Sequence, residues 1–345
     1  MEITLVLVII FALSVLFTGV YRQFALTRNL LDHPNHRSSH SYPTPRGGGI
    51  VFCALFLICL IVLPWLHKVP VDSFRLLGVP ALIIAILGFL DDVKGLPAKL
   101  RFAIQLAAAV LFLYTLKLDF ATDFHGWLII FPSISFLLLL LAMVWSTNLY
   151  NFMDGTDGIA AMEAITIYGV GGVLLWLQGA YSVAYMSWLL TAGVAGFLVW
   201  NWPKAKLFMG DVASSFLGFL VIPFALVGYF KFGLSIFVWF ILYLSFTLDA
   251  TLTLIRRLLN REKIYQAHKL HAYQRLHQAG YTHCQVLYVI IAINIVLASC
   301  AVVAMYHADW LPEIVLLAIS CYLGFYGFVE YKKPMYPKVK EVINL

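Results

Sequence analysis

Five short stretches carry side chains whose types and spacing suit chemistry. Asp91 and Asp92 stand side by side directly after an apolar run, in G-F-L-D-D-V-K-G. Paired carboxylates there are either a solvated helix end or a metal or general-base site. Lys94, Lys99 and Arg101 follow and offer cations to a phosphate. The second stretch, N-L-Y-N-F-M-D-G-T-D-G, repeats Asn148, Asn151 and Asp154 at every third position, one face if it is helical. Helix capping would explain Asp157 alone, but not four oxygen-bearing side chains so close together. Such a set suits a hard cation, Mg²⁺ or Mn²⁺. The third, N-W-P-K-A-K-L-F-M-G-D, runs from Asn201 through Phe208 to Asp211. Asp211 opens an apolar run, as an N-cap or as a carboxylate carrying a metal toward diphosphate at an anion-favouring helix start. Ala213, Ser214, Ser215 and Gly218 after it permit close helix packing.

The fourth stretch, A-H-K-L-H-A-Y-Q-R-L-H-Q-A-G, predicts a short amphipathic helix lying on a membrane and stopped by Gly280. At helical spacing His268, His271 and Arg275 fall within about 60° of arc, with Leu270 and Tyr273 opposite. Such a face is a generic interfacial helix or a grip for diphosphate or uridine. No HExxH motif supports a zinc protease. The fifth, H-P-N-H-R-S-S-H-S-Y-P-T-P-R-G-G-G, sets three glycines after Arg46, which would let backbone approach a ligand closely. His33, His36 and His40 lie in it without a nearby cysteine, so a zinc site is not supported.

These stretches must be held by something, and apolar spans separate them. A membrane helix needs about 20 mostly apolar residues. Eleven fit: 3–21, 47–66, 74–90, 99–117, 127–147, 158–178, 180–200, 211–230, 232–255, 285–307 and 309–330. The first lacks a basic segment before it and is read as a retained helix, not a signal peptide. Of the 23 Lys and Arg, only Lys68, Arg75, Lys117 and Lys231 fall on the side opposite the long loops. The positive-inside rule then puts the N-terminus outside, the C-terminus in the cytoplasm and all five stretches on the cytoplasmic face. The expected fold is an all-α polytopic membrane protein of about eleven helices, a single integral-membrane domain over residues 1–345.

Composition agrees. The 345 residues are 62% hydrophobic and 12% charged, and mean hydropathy is +0.89. Soluble domains carry about 25% charged residues. A soluble enzyme, a disordered chain and a nucleic-acid binder are excluded. The five cysteines form no CxxC pair, which argues against a disulfide framework or zinc site.

With the loops laid out, the sequence resembles the polyprenyl-phosphate N-acetylhexosamine-1-phosphate transferases, glycosyltransferase family 4. P-T-P-R-G-G-G (43–49), L-D-D (90–92), N-F-M-D-G-T-D-G (151–158), N-W-P…F-M-G-D (201–211) and A-H-K-L-H-A-Y-Q (267–274) carry the likeness, in the family's order along nearly the whole chain. L-D-H-P-N-H-R-S-S-H and A-H-K-L-H-A-Y-Q-R look most like bacterial O-antigen initiating enzymes of the FucNAc, QuiNAc or GlcNAc type. Lys269-Leu270 separates His268 from His271, unlike the three-histidine run of the peptidoglycan enzyme, which argues against a MurNAc-pentapeptide substrate.

The resemblance implies transfer of a sugar phosphate from a UDP-N-acetylhexosamine to undecaprenyl or another polyprenyl phosphate. UMP is released and lipid-linked glycan synthesis begins at the bacterial inner membrane. It implies Mg²⁺, or Mn²⁺, with Asp211 as leading ligand and Asn151 as its partner. Asp91 and Asp92 would orient or deprotonate the lipid phosphate or assist the metal. Asp154 and Asp157 would hold the nucleotide end, and Lys94 or Arg101 the phosphates. His268, His271 and Arg275 would grip the diphosphate or sugar. Arg46, Asn148, Asn201 and Phe208 complete the expected substrate contacts. A lipid phosphate, with a second pKa of about 6, needs little help to ionise, so direct attack and an aspartyl phospho-enzyme both stay open. A homodimer stays open too. The rival reading, a secondary transporter of an anionic solute, predicts midplane polar groups and repeated halves. The sequence shows no such repeat.

Overall fold

The computed structural model describes residues 3–32, 34, 42–66, 69–117, 132–263, 266 and 268–336. His33, His36, His40, His67, Lys68, His125, Lys338 and Lys340 lie outside the described residues. The chain forms α1 (Ile3–Thr27), α2 (Ile50–Val62), α3 (Val79–Lys94), α4 (Ala98–Leu116), α5 (Pro132–Met153) and α6 (Ile159–Leu177). There follow α7 (Tyr181–Asn201), α8 (Asp211–Phe232), α9 (Ile236–Leu242), α10 (Leu244–Leu259), α11 (Ala272–Gln278), α12 (His283–Tyr306) and α13 (Leu311–Lys332). Two short strands, β1 (Leu31–Asp32) just before the fifth stretch and β2 (Thr44–Pro45) within it, pair antiparallel with Leu31 opposite Pro45.

Among the described residues, nine helices are long and apolar enough to cross a membrane. The expected ninth span is not one straight helix: α9 and α10 meet at a 74° bend. Tyr243 sits at the elbow with φ −99° and ψ 6°. Its hydroxyl donates to the Ser146 carbonyl at 3.1 Å, tying the break to α5. The expected second span is a shorter apolar helix, α2, with a 3₁₀ turn to Leu66.

Helix α8 is the most buried span and lies at the centre, flanked by α3 and α5. Helix α7 packs on α1, α2 and α6 around it. Close crossing requires Gly88 on α3: a Cβ there would stand 2.5 Å from the Val212 Cα. On α8, Gly218 offers its carbonyl to the Ser146 hydroxyl at 2.6 Å, as its small size suggested.

Apolar side chains such as Leu16, Val20, Ile86, Leu258 and Leu316 face outward, while polar ones turn in. Helix α10 shows the inversion most clearly. Ser245, Asp249, Thr253 and Arg257 recur every four residues and are buried, with Ile255, Leu258 and Leu259 exposed. That is the patterning of a helix with an apolar surround and a polar interior. Glu163 on α6 is wholly buried and accepts from Ser245 at 2.9 Å and from Asn294 at 2.7 Å, joining α6, α10 and α12.

Candidate active site

The site is built around the start of α8. Gly210 takes φ +83°, in the left-handed region, and turns the chain into the helix. Asp211 is therefore the first helical residue, and the expected N-cap role falls to Gly210. In the last turn of α5, the Asn151 amide donates to Asp211 Oδ1 at 2.8 Å and to Ser214 Oγ at 2.9 Å. The Asn151 side-chain oxygen is left as a donor for a hard cation.

Across α8, Asp92 at the end of α3 accepts from the Val212 N–H at 3.2 Å. The Arg46 guanidinium donates to the Asp92 carbonyl. Its neighbour Asp91 accepts from the Leu96 N–H at 2.6 Å and from Arg101 at 2.5 Å, and lies against Asp211. Asp91, Asp92, Asp211, Asn151, Arg46 and Arg101, drawn from five segments, thus surround one point. Lys94 lies exposed in the last turn of α3 beside them. Phe208 is half-buried, its N–H on the Pro45 carbonyl at 2.8 Å and its carbonyl taking the Gly48 N–H at 3.0 Å.

Asp154 occupies the loop between α5 and α6. Burial, and next the charges of Asp211, Asp92 and Asp157, raise its carboxyl well above the ordinary range. Such mutual repulsion is what a divalent cation would relieve. Among the described residues no three His, Cys, Asp or Glu side chains form a ready-made metal cage. Mg²⁺ does not need one, since it takes one or two carboxylates together with waters and substrate phosphates. Asp211, Asn151 and the neighbouring aspartates fit that donor set.

A second polar centre lies at α11. Asp249, buried on α10, accepts from the Ala272 N–H at 2.9 Å on both oxygens, and His271 Nδ1 stands 3.3 Å from it. The carboxylate satisfies the start of α11 and orients His271. The ring of His268 lies 4.8 Å from that of His271. Burial first, then His271, lowers the pKa of His268 to about 4. Its Nδ1 accepts from the Leu270 N–H at 3.3 Å, so a neutral His268 offers an Nε2–H. Asp249 was not among the residues expected at the site. A charged residue inside an apolar run was the signal for it.

Several expectations need correction. His268 precedes α11 and His271 caps it, so the two do not share a helical face with Arg275. Because α11 packs against α13 and is not laid on a surface, Arg275 is buried there. It pairs with Glu330 at 2.5 Å, and its guanidinium sits 4.9 Å over the Tyr326 ring. Asn148 is turned to α4, giving its amide hydrogens to Gln105 and to the Val144 carbonyl, both at 2.7 Å. Helix α5 ends at Met153, so Asp154 lies beyond the face that Asn148 and Asn151 were expected to share with it. Asn201 is buried, accepting from Gly158 N–H at 2.9 Å and donating to the Leu207 carbonyl at 3.0 Å, which makes it a loop fastener. Asp157 accepts from the Ala205 N–H at 3.0 Å and faces His283. The glycines after Arg46 approach protein: Cβ atoms at Gly48 and Gly49 would stand 2.2 Å from Leu207 and Ala213.

A polytopic α-helical membrane protein with a cluster of acids at one helix start is the class that fold and geometry define. The model of glycosyl transferase family 4 matches residues 74–229, which hold most of that site. The chain is 30% identical over 331 residues to the "Probable undecaprenyl-phosphate N-acetylglucosaminyl 1-phosphate transferase" of Bacillus subtilis (strain 168), covering 92% of this chain and 90% of the relative. It is 26% identical over 333 residues to the undecaprenyl-phosphate alpha-N-acetylglucosaminyl 1-phosphate transferase of Escherichia coli (strain K12), covering 93% and 89%. To the phospho-N-acetylmuramoyl-pentapeptide-transferase of Geobacillus kaustophilus (strain HTA426) it is 32% identical over 221 residues, covering 60% and 68%. The chain belongs to glycosyl transferase family 4, the polyprenyl-phosphate N-acetylhexosamine-1-phosphate transferases.

Proposed function

We propose that this protein transfers an N-acetylhexosamine-1-phosphate from a UDP-sugar to undecaprenyl phosphate, or another polyprenyl phosphate, at the cytoplasmic face of a bacterial inner membrane. An oxygen of the lipid phosphate attacks the sugar-bearing phosphorus. The bond to the uridylate oxygen breaks, UMP leaves, and a lipid-linked sugar diphosphate remains. The observation that carries this reading is the meeting of Asp91, Asp92, Asp211 and Asn151 with two arginines at the start of α8.

Each group has a task that its geometry supports. Asp211 and Asn151 would hold Mg²⁺ or Mn²⁺, which supplies positive charge where two phosphate-bearing substrates repel. Arg46 and Lys94, reaching solvent beside the acids, attract the phosphates. Arg101 is already engaged by Asp91, so this pair fixes the turn between α3 and α4 and thereby Asp92. Asp154 faces the nucleotide end. His268 and His271 offer their imidazole rings to the sugar or diphosphate from the second centre. Eleven membrane passages, counting the bent α9–α10 pair and short α2, put all five loops on one side, with the N-terminus outside. Products of such a reaction start O-antigen or cell-wall polysaccharide chains.

A panel of UDP-GlcNAc, UDP-GalNAc, UDP-FucNAc and UDP-QuiNAc with undecaprenyl phosphate and Mg²⁺ tests the reading. At least one should give UMP and a lipid-linked sugar. Failure of all four to do so, with protein that remains folded, would overturn it.

A further inference from the structure

The short helix α11 and the first residue of α12 touch the end of α5 and the α5–α6 loop at three places. The Tyr273 hydroxyl donates to the Phe152 carbonyl at 3.1 Å. His277 Nε2 lies 2.8 Å from the Thr156 hydroxyl, which is buried. His283 Nδ1 stands 3.3 Å from the Asp157 carboxylate and 3.4 Å from the Asp157 backbone nitrogen. Gly155 makes the fit close, because a Cβ there would stand 2.2 Å from the Tyr273 hydroxyl. These contacts grip residues on both sides of Asp154.

The chemistry of His277 is fixed by its partners. Its Nδ1 lies 2.9 Å from the Tyr281 carbonyl, which only accepts, so Nδ1 carries the proton. Nε2 then holds a lone pair for the Thr156 hydroxyl. Burial, with the His283 ring 4.5 Å away, keeps its pKa below the ordinary value, so this neutral form persists at neutral pH.

We propose that α11 and the start of α12 are a clamp that sets Asp154 against the donor nucleotide, with His277 and His283 as positioning residues. The clamp rests on the reading of Asp154 as the residue at the nucleotide end. It joins the second polar centre to the first through the chain, since Asp249 caps the same helix. His277 and His283 touch the loop and not the reacting atoms.

Four variants test it: Thr156→Val, which keeps shape but loses the hydroxyl, Thr156→Ser, which restores it, His277→Leu, and the double variant that combines Thr156→Val with His277→Leu. The probe is UDP-N-acetylglucosamine, or whichever of the four UDP-sugars the unmodified protein turns over, with undecaprenyl phosphate varied separately. Thr156→Val should raise KM for the UDP-sugar roughly tenfold, the scale of a buried hydroxyl bond lost to an unpaired partner. KM for the lipid phosphate should stay within about twofold, and Thr156→Ser should behave as the unmodified protein. The Thr156→Val/His277→Leu double variant should be no worse than the poorer single one, because one contact is removed twice. Unchanged KM in Thr156→Val, equal loss in Thr156→Ser, or parallel rises in both KM values would each overturn the clamp. An unmodified protein that turns over none of the sugars would instead sink the proposed reaction.

Discussion

Asp211 illustrates how little room the site leaves for a single atom. Asn151 already holds one of its oxygens, and Asp91 lies against it. Asp211→Asn keeps volume and removes the charge, so turnover should fall at least ~100-fold, the scale of lost metal-site contacts, while the fold survives. Near-normal turnover would show that no cation depends on this carboxylate. The histidines make a forecast about stability. Burial pushes the His268 imidazole down to about 4 and lowers His277 as well. The unfolded chain, with histidines near the usual value of about 6.5, binds more protons below that pH. These two histidines should therefore withdraw stability in detergent as pH falls from 7 toward 4, while the raised carboxyl of Asp154 acts the other way, so His268→Gln should lose less stability over that range than the unmodified protein. Thermal unfolding at pH 7, 6 and 5 checks it, and parallel curves would contradict it. At this scale the gathering of Asp91, Asp92, Asn151, Asp154 and Asp211 was legible, because charged and amide side chains beside apolar runs are costly to desolvate alone. Arg275 was misread because its partner Glu330 lies 55 residues on, and no local pattern announces such a pairing.

Among the elements, α11 departs most from the pattern that predicted it. Periodicity reported an apolar and a basic side but could not locate the first turn. That is decided by Asp249, 23 residues upstream, taking the Ala272 N–H. The consequence for Ala272→Pro is specific. Proline is well tolerated at a first helical position, where the N–H is normally unused. Here that N–H is used, so the substitution leaves Asp249 short of a donor and should cost about 1–3 kcal/mol rather than break the helix. It should also raise the donor requirement by freeing His271. Stability matching the unmodified protein would contradict the capping role. The α3–α8 crossing offers the complementary case. Gly88→Ala would push Cβ into the Val212 backbone, separating Asp92 from the start of α8. Turnover should fall about tenfold or more, through poorer alignment of phosphate and acid groups. An active Gly88→Ala protein would mean that the spacing of Asp92 from α8 is not critical. The bend at Tyr243 was invisible in the sequence, because the two arms together read as one apolar length and hydropathy measures length without direction.

For the whole molecule, the sequence read well where physics is coarse. Apolar length located most spans, and basic residues suggested which ends face the cytoplasm. Topology is directly testable with single cysteines in a background lacking the five native ones. Lys94→Cys and Lys204→Cys, both at exposed positions, should react only with reagent from the cytoplasmic side, and Asp309→Cys only from outside. Labelling of Lys94→Cys and Lys204→Cys from opposite sides would break the site apart. The central claim is that the acids at the start of α8 serve sugar-phosphate transfer between a nucleotide and a lipid. The most direct measurement follows UMP and lipid-linked sugar together, in purified protein and in Asp211→Asn, with the UDP-sugar that supports turnover, undecaprenyl phosphate and Mg²⁺. The account predicts one UMP for each lipid-linked sugar formed, dependence on both lipid phosphate and Mg²⁺, and near-complete loss in Asp211→Asn. UMP release that needs no lipid phosphate, or that Asp211→Asn leaves intact, would contradict it.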